Sequence, residues 1–153
     1  MALLQTLQSL QVSSHQDLIR IIKTLDLSVE KIAHYRKSPD EMEYGRNVIY
    51  KTDELEVLVL HFPPLTKTPV HDHGRSSGCV YIVEGQLQNV LYRSDCCDAS
   101  LMYDRTEDFR QGEMVPVHND MIHMMQNVTM SPVTTFHIYS PPLEEGRVYS
   151  PDM

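Results

Sequence analysis

Basic residues are scarce in this chain: 13 Lys and Arg stand against 21 Asp and Glu, a formal net charge of −8 at pH 7. A surface of that sign repels phosphate backbones and anionic bilayers, so neither nucleic acid nor membrane is expected as a partner, and small molecules or proteins remain. Cysteine is scarce too. Only three are present, and Cys96 and Cys97 are adjacent, within a turn expected over residues 94–98. So few thiols make a poor disulfide framework and fit a reducing, cytoplasmic setting. No apolar run is long enough to span a bilayer. Met1 to Val12 has no basic residue ahead of its apolar positions, and glutamines interrupt them, so it is not expected to act as a secretory signal. Internal repeats, low-complexity stretches and linkers are also missing. With 41% hydrophobic content in 153 residues, one compact domain over 1–153 is expected.

What is present divides into two patterns. Leu18, Ile21, Ile22 and Leu25 recur at helical spacing behind Ser13 and Ser14, which can cap the orphan N–H groups of a first turn. A second short helix can start at Ser28. Residues 1–40 are thus expected to be helical and to lay one apolar face on the rest, with no chemistry of their own. From about Arg46 the pattern becomes short segments rich in β-branched and aromatic residues, at 47–50, 55–62, 80–83, 87–92, 114–117 and 133–139. Pro, Gly, Asp or Asn separate them. That spacing predicts an all-β core, a small barrel over 44–142 with the N-terminal helices packed against it.

Three of the eight histidines stand apart from the rest. In an extended strand alternate side chains share a face, so His71 and His73 point the same way while Asp72 points away. Two imidazoles hold a transition metal loosely, and His123, in the segment 121–127, is the candidate third ligand. His15, His34, His61 and His118 have no spaced partner and are left out of the site.

The pair His71 and His73, followed by Gly78 and by Gly85 closing a hairpin, then His123 with Asn127 four residues on, resembles the two signature motifs of the cupin superfamily. The resemblance implies a small β-barrel (jelly roll). Two departures matter. Most metal-binding cupins carry a glutamate ligand where Gly78 stands, so a neutral three-His set leaves a divalent ion's charge uncompensated and favours anionic ligands such as a thiolate. Where a glycine is expected three residues before His123 there is Asp120, and the proline is displaced to Pro116; Asn119 and Asp120 tolerate a left-handed turn nearly as well, so the turn type stays open and the ligand does not.

Three further stretches narrow the resemblance to the cysteine dioxygenase family: Tyr44-Gly-Arg-Asn47, His71-Asp-His-Gly74, and Phe136-His-Ile-Tyr-Ser-Pro-Pro142. They span most of the chain and are similar to the short bacterial branch. The resemblance implies Fe(II) on His71, His73 and His123, L-cysteine and O2 as substrates, and cysteine sulfinic acid as product. Arg46 would take the substrate carboxylate, since a guanidinium fork grips two oxygens at once, and an arginine buried at a barrel mouth calls for an anionic partner. Tyr44, two residues away on the same face, is a second substrate contact. Tyr139, oriented by His137, would act beside the metal. Animal members cross-link a cysteine to that tyrosine; here Gly78 holds the matching position, and Cys79 is expected to point away, so no thioether is expected. Two alternatives stay open: a dioxygenase of 3-mercaptopropionate or another small thiol, a branch that typically has Gln where Arg46 stands, and a non-catalytic cupin that binds a metal or ligand.

Overall fold

In the computed structural model the described residues are 3–9, 14–94, 100–144 and 146–149, so the expected roles of Ser13 and of the turn holding Cys96 and Cys97 lie outside them. Helix α1 (Leu3–Gln8) precedes α2 (His15–Leu25) and the short α3 (Val29–Ile32). Ser14 starts α2 with a reciprocal cap: its hydroxyl accepts the Asp17 N–H at 3.3 Å, and the Asp17 carboxylate accepts the Ser14 N–H at 3.1 Å. Ser28 caps α3 with a single bond, its hydroxyl accepting the Lys31 N–H. No helix among the described residues is long and apolar enough to cross a membrane.

Among the described residues ten strands follow: β1 (Gly45–Lys51), β2 (Glu56–Phe62), β3 (Val70–His71), β4 (Ser77–Glu84), β5 (Gln86–Ser94), β6 (Leu101–Arg110), β7 (Met114–Val117), β8 (Ile122–Gln126), β9 (Val133–Ser140) and β10 (Val148–Tyr149). They form two antiparallel five-stranded sheets, ordered β1-β2-β9-β4-β7 and β10-β3-β8-β5-β6. The result is a cupin-like jelly roll with the N-terminal helices against one sheet.

The first sheet is covered on both faces. Val57 and Val59 of β2, Cys79 and Val83 of β4, and Phe136 and Ile138 of β9 pack against Leu18, Ile21, Ile22, Leu25 and Ile32 of the helices. Their neighbours in sequence, Leu58, Leu60, Val80, Ile82 and Tyr139, face the barrel interior. Strands buried on both sides need apolar side chains at most positions, which is why 55–62 is broken only by Glu56 and His61, while in 133–139 the polar Thr134, Thr135 and His137 are themselves buried. Each large side chain so buried contributes about 1.5–3 kcal/mol, which is what holds α2 in place.

Two expectations need correction, and one open point is settled. Gly85, at φ +90°, does not close a hairpin: β4 lies in the first sheet and β5 in the second, so Gly85 turns the corner between sheets. Only glycine enters that conformation without strain. The turn type left open at Asn119 and Asp120 is not left-handed; the chain reverses there through a turn in which the Met121 N–H meets the His118 carbonyl at 3.0 Å, and the only non-glycine positive φ values among the described residues are at Asp26 and Leu65. The barrel also runs past residue 142, because β10 pairs with β3.

Candidate metal centre

β3 ends at His71, which sits directly opposite His123 of β8 in register, and His73 follows two residues later. Strand pairing therefore delivers two rings and the alternation of an extended chain delivers the third. The ring centroids are 4.8 to 4.9 Å apart, and one nitrogen from each ring lies within 4.8 Å of the others.

Neighbours decide which nitrogens are free. The Pro69 carbonyl, 2.8 Å from His71 Nδ1, and the Asn89 Oδ1, 2.6 Å from His123 Nδ1, are both acceptors, so each Nδ1 carries the proton and each Nε2 keeps its lone pair. His123 Nε2 then stands 3.3 Å from His73 Nε2. Burial lowers the pKa of all three rings, His73 to about 3, and for His73 and His123 the neighbouring rings push it further down. Neutral imidazoles with converging lone pairs are what a divalent cation of the iron type requires. Among the described residues no carboxylate joins this cluster.

Asp72 faces the other way, as expected. Burial alone would raise its pKa, but bonds from the Tyr149 hydroxyl and from the Gly74 and Arg147 N–H groups outweigh that and hold it low. Asn127 serves the loops and not the metal, its amide donating to the Phe62, Pro63 and Ser131 carbonyls.

Across the barrel β9 presents Thr135, His137 and Tyr139 on one face. The Thr135 hydroxyl lies 2.6 Å from His137 Nε2, and the Tyr139 hydroxyl lies 3.0 Å from His137 Nδ1. Burial foremost, then the charges of His73, Arg46 and His71, keeps His137 neutral; burial also raises the Tyr139 pKa, so the phenol stays protonated. Either His137 tautomer satisfies both bonds, but only a proton on Nδ1 leaves the Tyr139 O–H free to donate into the cavity. The Tyr139 ring stacks on His73 with centroids 5.4 Å apart. It lies over Gly78, its partner in register, where a Cβ would run into that ring and the Ile138 carbonyl.

His71, His73, His137, Tyr139, Tyr44 and Arg46 all line one cavity of about 220 Å³. Tyr44 is buried and stacks on Phe62 at 5.4 Å. Arg46 is not buried as expected: its side chain is 45% exposed, and Nη2 lies 3.7 Å from the carboxylate of Glu56, itself almost fully buried. A strand-edge arginine can stay half in water because Glu56 anchors it from below. His15, His34, His61 and His118 do not line the cavity; His15 stacks on His118 instead.

Sequence reasoning missed Asn89, Thr135 and Glu56. Each left a signal: an amide and an acid inside apolar strands, and a hydroxyl two residues before His137 on the same strand face.

Three imidazoles with no carboxylate, inside a jelly roll, define a cupin metalloprotein with a facial three-His set that matches mononuclear non-haem Fe(II) coordination. The chain matches the sequence model of cysteine dioxygenase type I over residues 2–152, and it belongs to that family. It is 25% identical over 165 aligned positions to cysteine dioxygenase type 1 of Danio rerio, covering 95% of this chain and 79% of that one. In fold it is similar to a double-stranded beta-helix domain protein from Klebsiella pneumoniae, with TM-score 0.61, 16% identity and coverage of 78% of this chain and 94% of that one. KdgF from Halomonas sp. is similar at TM-score 0.56 and 16% identity, covering 71% and 88%.

Proposed function

We propose that this protein is an iron-dependent cysteine dioxygenase that joins L-cysteine and O2 to give cysteine sulfinic acid, both oxygen atoms passing to sulfur. One observation carries the reading: His71, His73, Tyr139 and Arg46 line a single small cavity, and His123 converges with those two imidazoles beneath it. Fe(II) held by His71, His73 and His123 would supply the redox chemistry that lets a thiolate react with dioxygen. The chain's own residues do the rest. Arg46 grips the carboxylate, Tyr44 packs beside it, and the apolar walls at Leu58, Leu60 and Met125 exclude water. Tyr139, with its phenol protonated and His137 neutral behind it, donates a hydrogen bond where charge builds on the reacting oxygens. Cysteine usage supports a cytoplasmic setting as part of the same proposal.

Anaerobic reconstitution with iron, followed by oxygen-electrode assays with cysteine, 3-mercaptopropionate and cysteamine, tests metal, reaction and carboxylate recognition together. Oxygen uptake with cysteine and formation of the sulfinic acid is the expected result. Faster turnover of 3-mercaptopropionate would move the assignment to that thiol, and no uptake with any thiol would leave a binding cupin.

A further inference from the structure

The cavity has a second guanidinium. Arg147, in the segment just before β10, lines it together with Gly146 and Val148. This segment is fastened to the metal-binding loop at one residue. The Asp72 N–H donates to the Arg147 carbonyl at 2.9 Å, the Arg147 N–H donates to the Asp72 carboxylate at 3.0 Å, and the Tyr149 hydroxyl donates to it at 2.6 Å. The contact is so close that a Cβ on Gly146 would press into the Asp72 carbonyl. Arg147 is therefore exposed but carried on a backbone fixed relative to the three rings.

Its head group is held loosely by comparison. The guanidinium packs over the Tyr149 ring at 5.4 Å and enters no ion pair among the described residues. Asp72, whose carboxylate the Arg147 charge helps hold low, already accepts three donors. Arg46 differs, because part of its charge is spent on Glu56 at 3.7 Å. A thiol that places its sulfur at the three-His cluster leaves its acid group for the rest of a small cavity that both arginines line.

We propose that Arg147 is a second recognition residue for the acid group of the substrate, gripping from the β10 side the carboxylate that Arg46 meets from β1. The inference rests on the thiol-dioxygenase reading for the orientation of the ligand. It makes the site selective for thiols that carry an acid, since an exposed cation adds little until a bound anion displaces water from it.

Calorimetric titration of the iron-loaded protein without oxygen tests this, using cysteine and cysteamine, which lacks the carboxylate. Arg147→Gln should weaken cysteine binding about tenfold and leave cysteamine unchanged, and Arg147→Lys should recover part of the loss. In oxygen uptake assays the same Arg147→Gln variant should raise KM for cysteine and keep kcat within about twofold. Unchanged cysteine affinity in Arg147→Gln overturns the proposal, as does an equal loss for both thiols. A wild-type protein that binds cysteine without consuming oxygen would instead defeat the proposed reaction and leave the role of Arg147 standing.

Discussion

Asn89 Oδ1 sits 2.6 Å from Nδ1 of His123, and neither residue has any exposure to solvent. The amide fixes the tautomer and the tilt of that ring, so Nε2 keeps its lone pair for the metal. Asn89→Leu should fold and still bind iron, but about 10–100-fold more weakly. Chelator competition monitored by iron content checks this, and an unaltered affinity would show that the ring needs no such anchor.

Stability of the metal-free protein should depend on pH in one direction. His71, His73 and His123 have folded pKa values below the ordinary 6.5, His73 at about 3, so the unfolded chain takes up protons first as pH falls. The stability they allow is intact above about 6.5 and is lost as pH drops toward the folded values. Urea midpoints measured between about pH 8 and pH 4 should decline, and His73→Gln should flatten the decline.

Gly78 has no room for a methyl group, because the Tyr139 ring and the Ile138 carbonyl occupy the space. Gly78→Ala should cost about 1–3 kcal/mol and displace the tyrosine. Denaturant unfolding reads the first effect and kcat the second; a variant as stable as the parent would mean the ring shifts freely.

Tyr139→Phe removes the hydroxyl that faces the cavity and leaves His137 Nδ1 without a partner. The expected outcome is a fall in kcat of about a hundredfold with little change in KM. Loss of affinity with kcat preserved would assign the phenol to binding.

Arg46→Ala should raise KM for cysteine about ten- to a hundredfold. It should also destabilise the fold, because Glu56 is almost fully buried and would keep only Lys51, at 3.9 Å, as a cationic partner. Arg46→Ala combined with Glu56→Gln should recover the stability and not the KM, which separates anchoring from recognition. Unchanged kinetics for cysteine in the single variant would remove Arg46 from substrate binding.

The barrel was legible wherever burial left a mark. Strands β2, β4, β5, β7 and β9 carry apolar residues on faces that other layers cover, so composition alone exposes them. β6 does not, because it is an edge strand whose residues Asp104, Arg105, Glu107 and Asp108 face water and hide its periodicity. β3 and β10 are two residues each, too short for any pattern. His71 and His73 were legible because their spacing is a local property, and His123 because it stands four residues before Asn127 in a second local pattern. Their partners Asn89 and Thr135, and Arg46's anchor Glu56, depend on which strands become neighbours, and register across sheets is not written in local order.

Cys79 lies on β4 beside Gly78 but on the opposite face, among the helix-packed residues, with burial pushing its thiol up to about 12. One strand thus gives its bare position to the tyrosine and hides its sulfur behind the thickness of a sheet. A catalyst built to add oxygen to thiols shields this one of its own from the reaction by both distance and protonation. With Cys79 turned away from Tyr139, no thioether joins the two, and the enzyme should work at full rate from its first turnover.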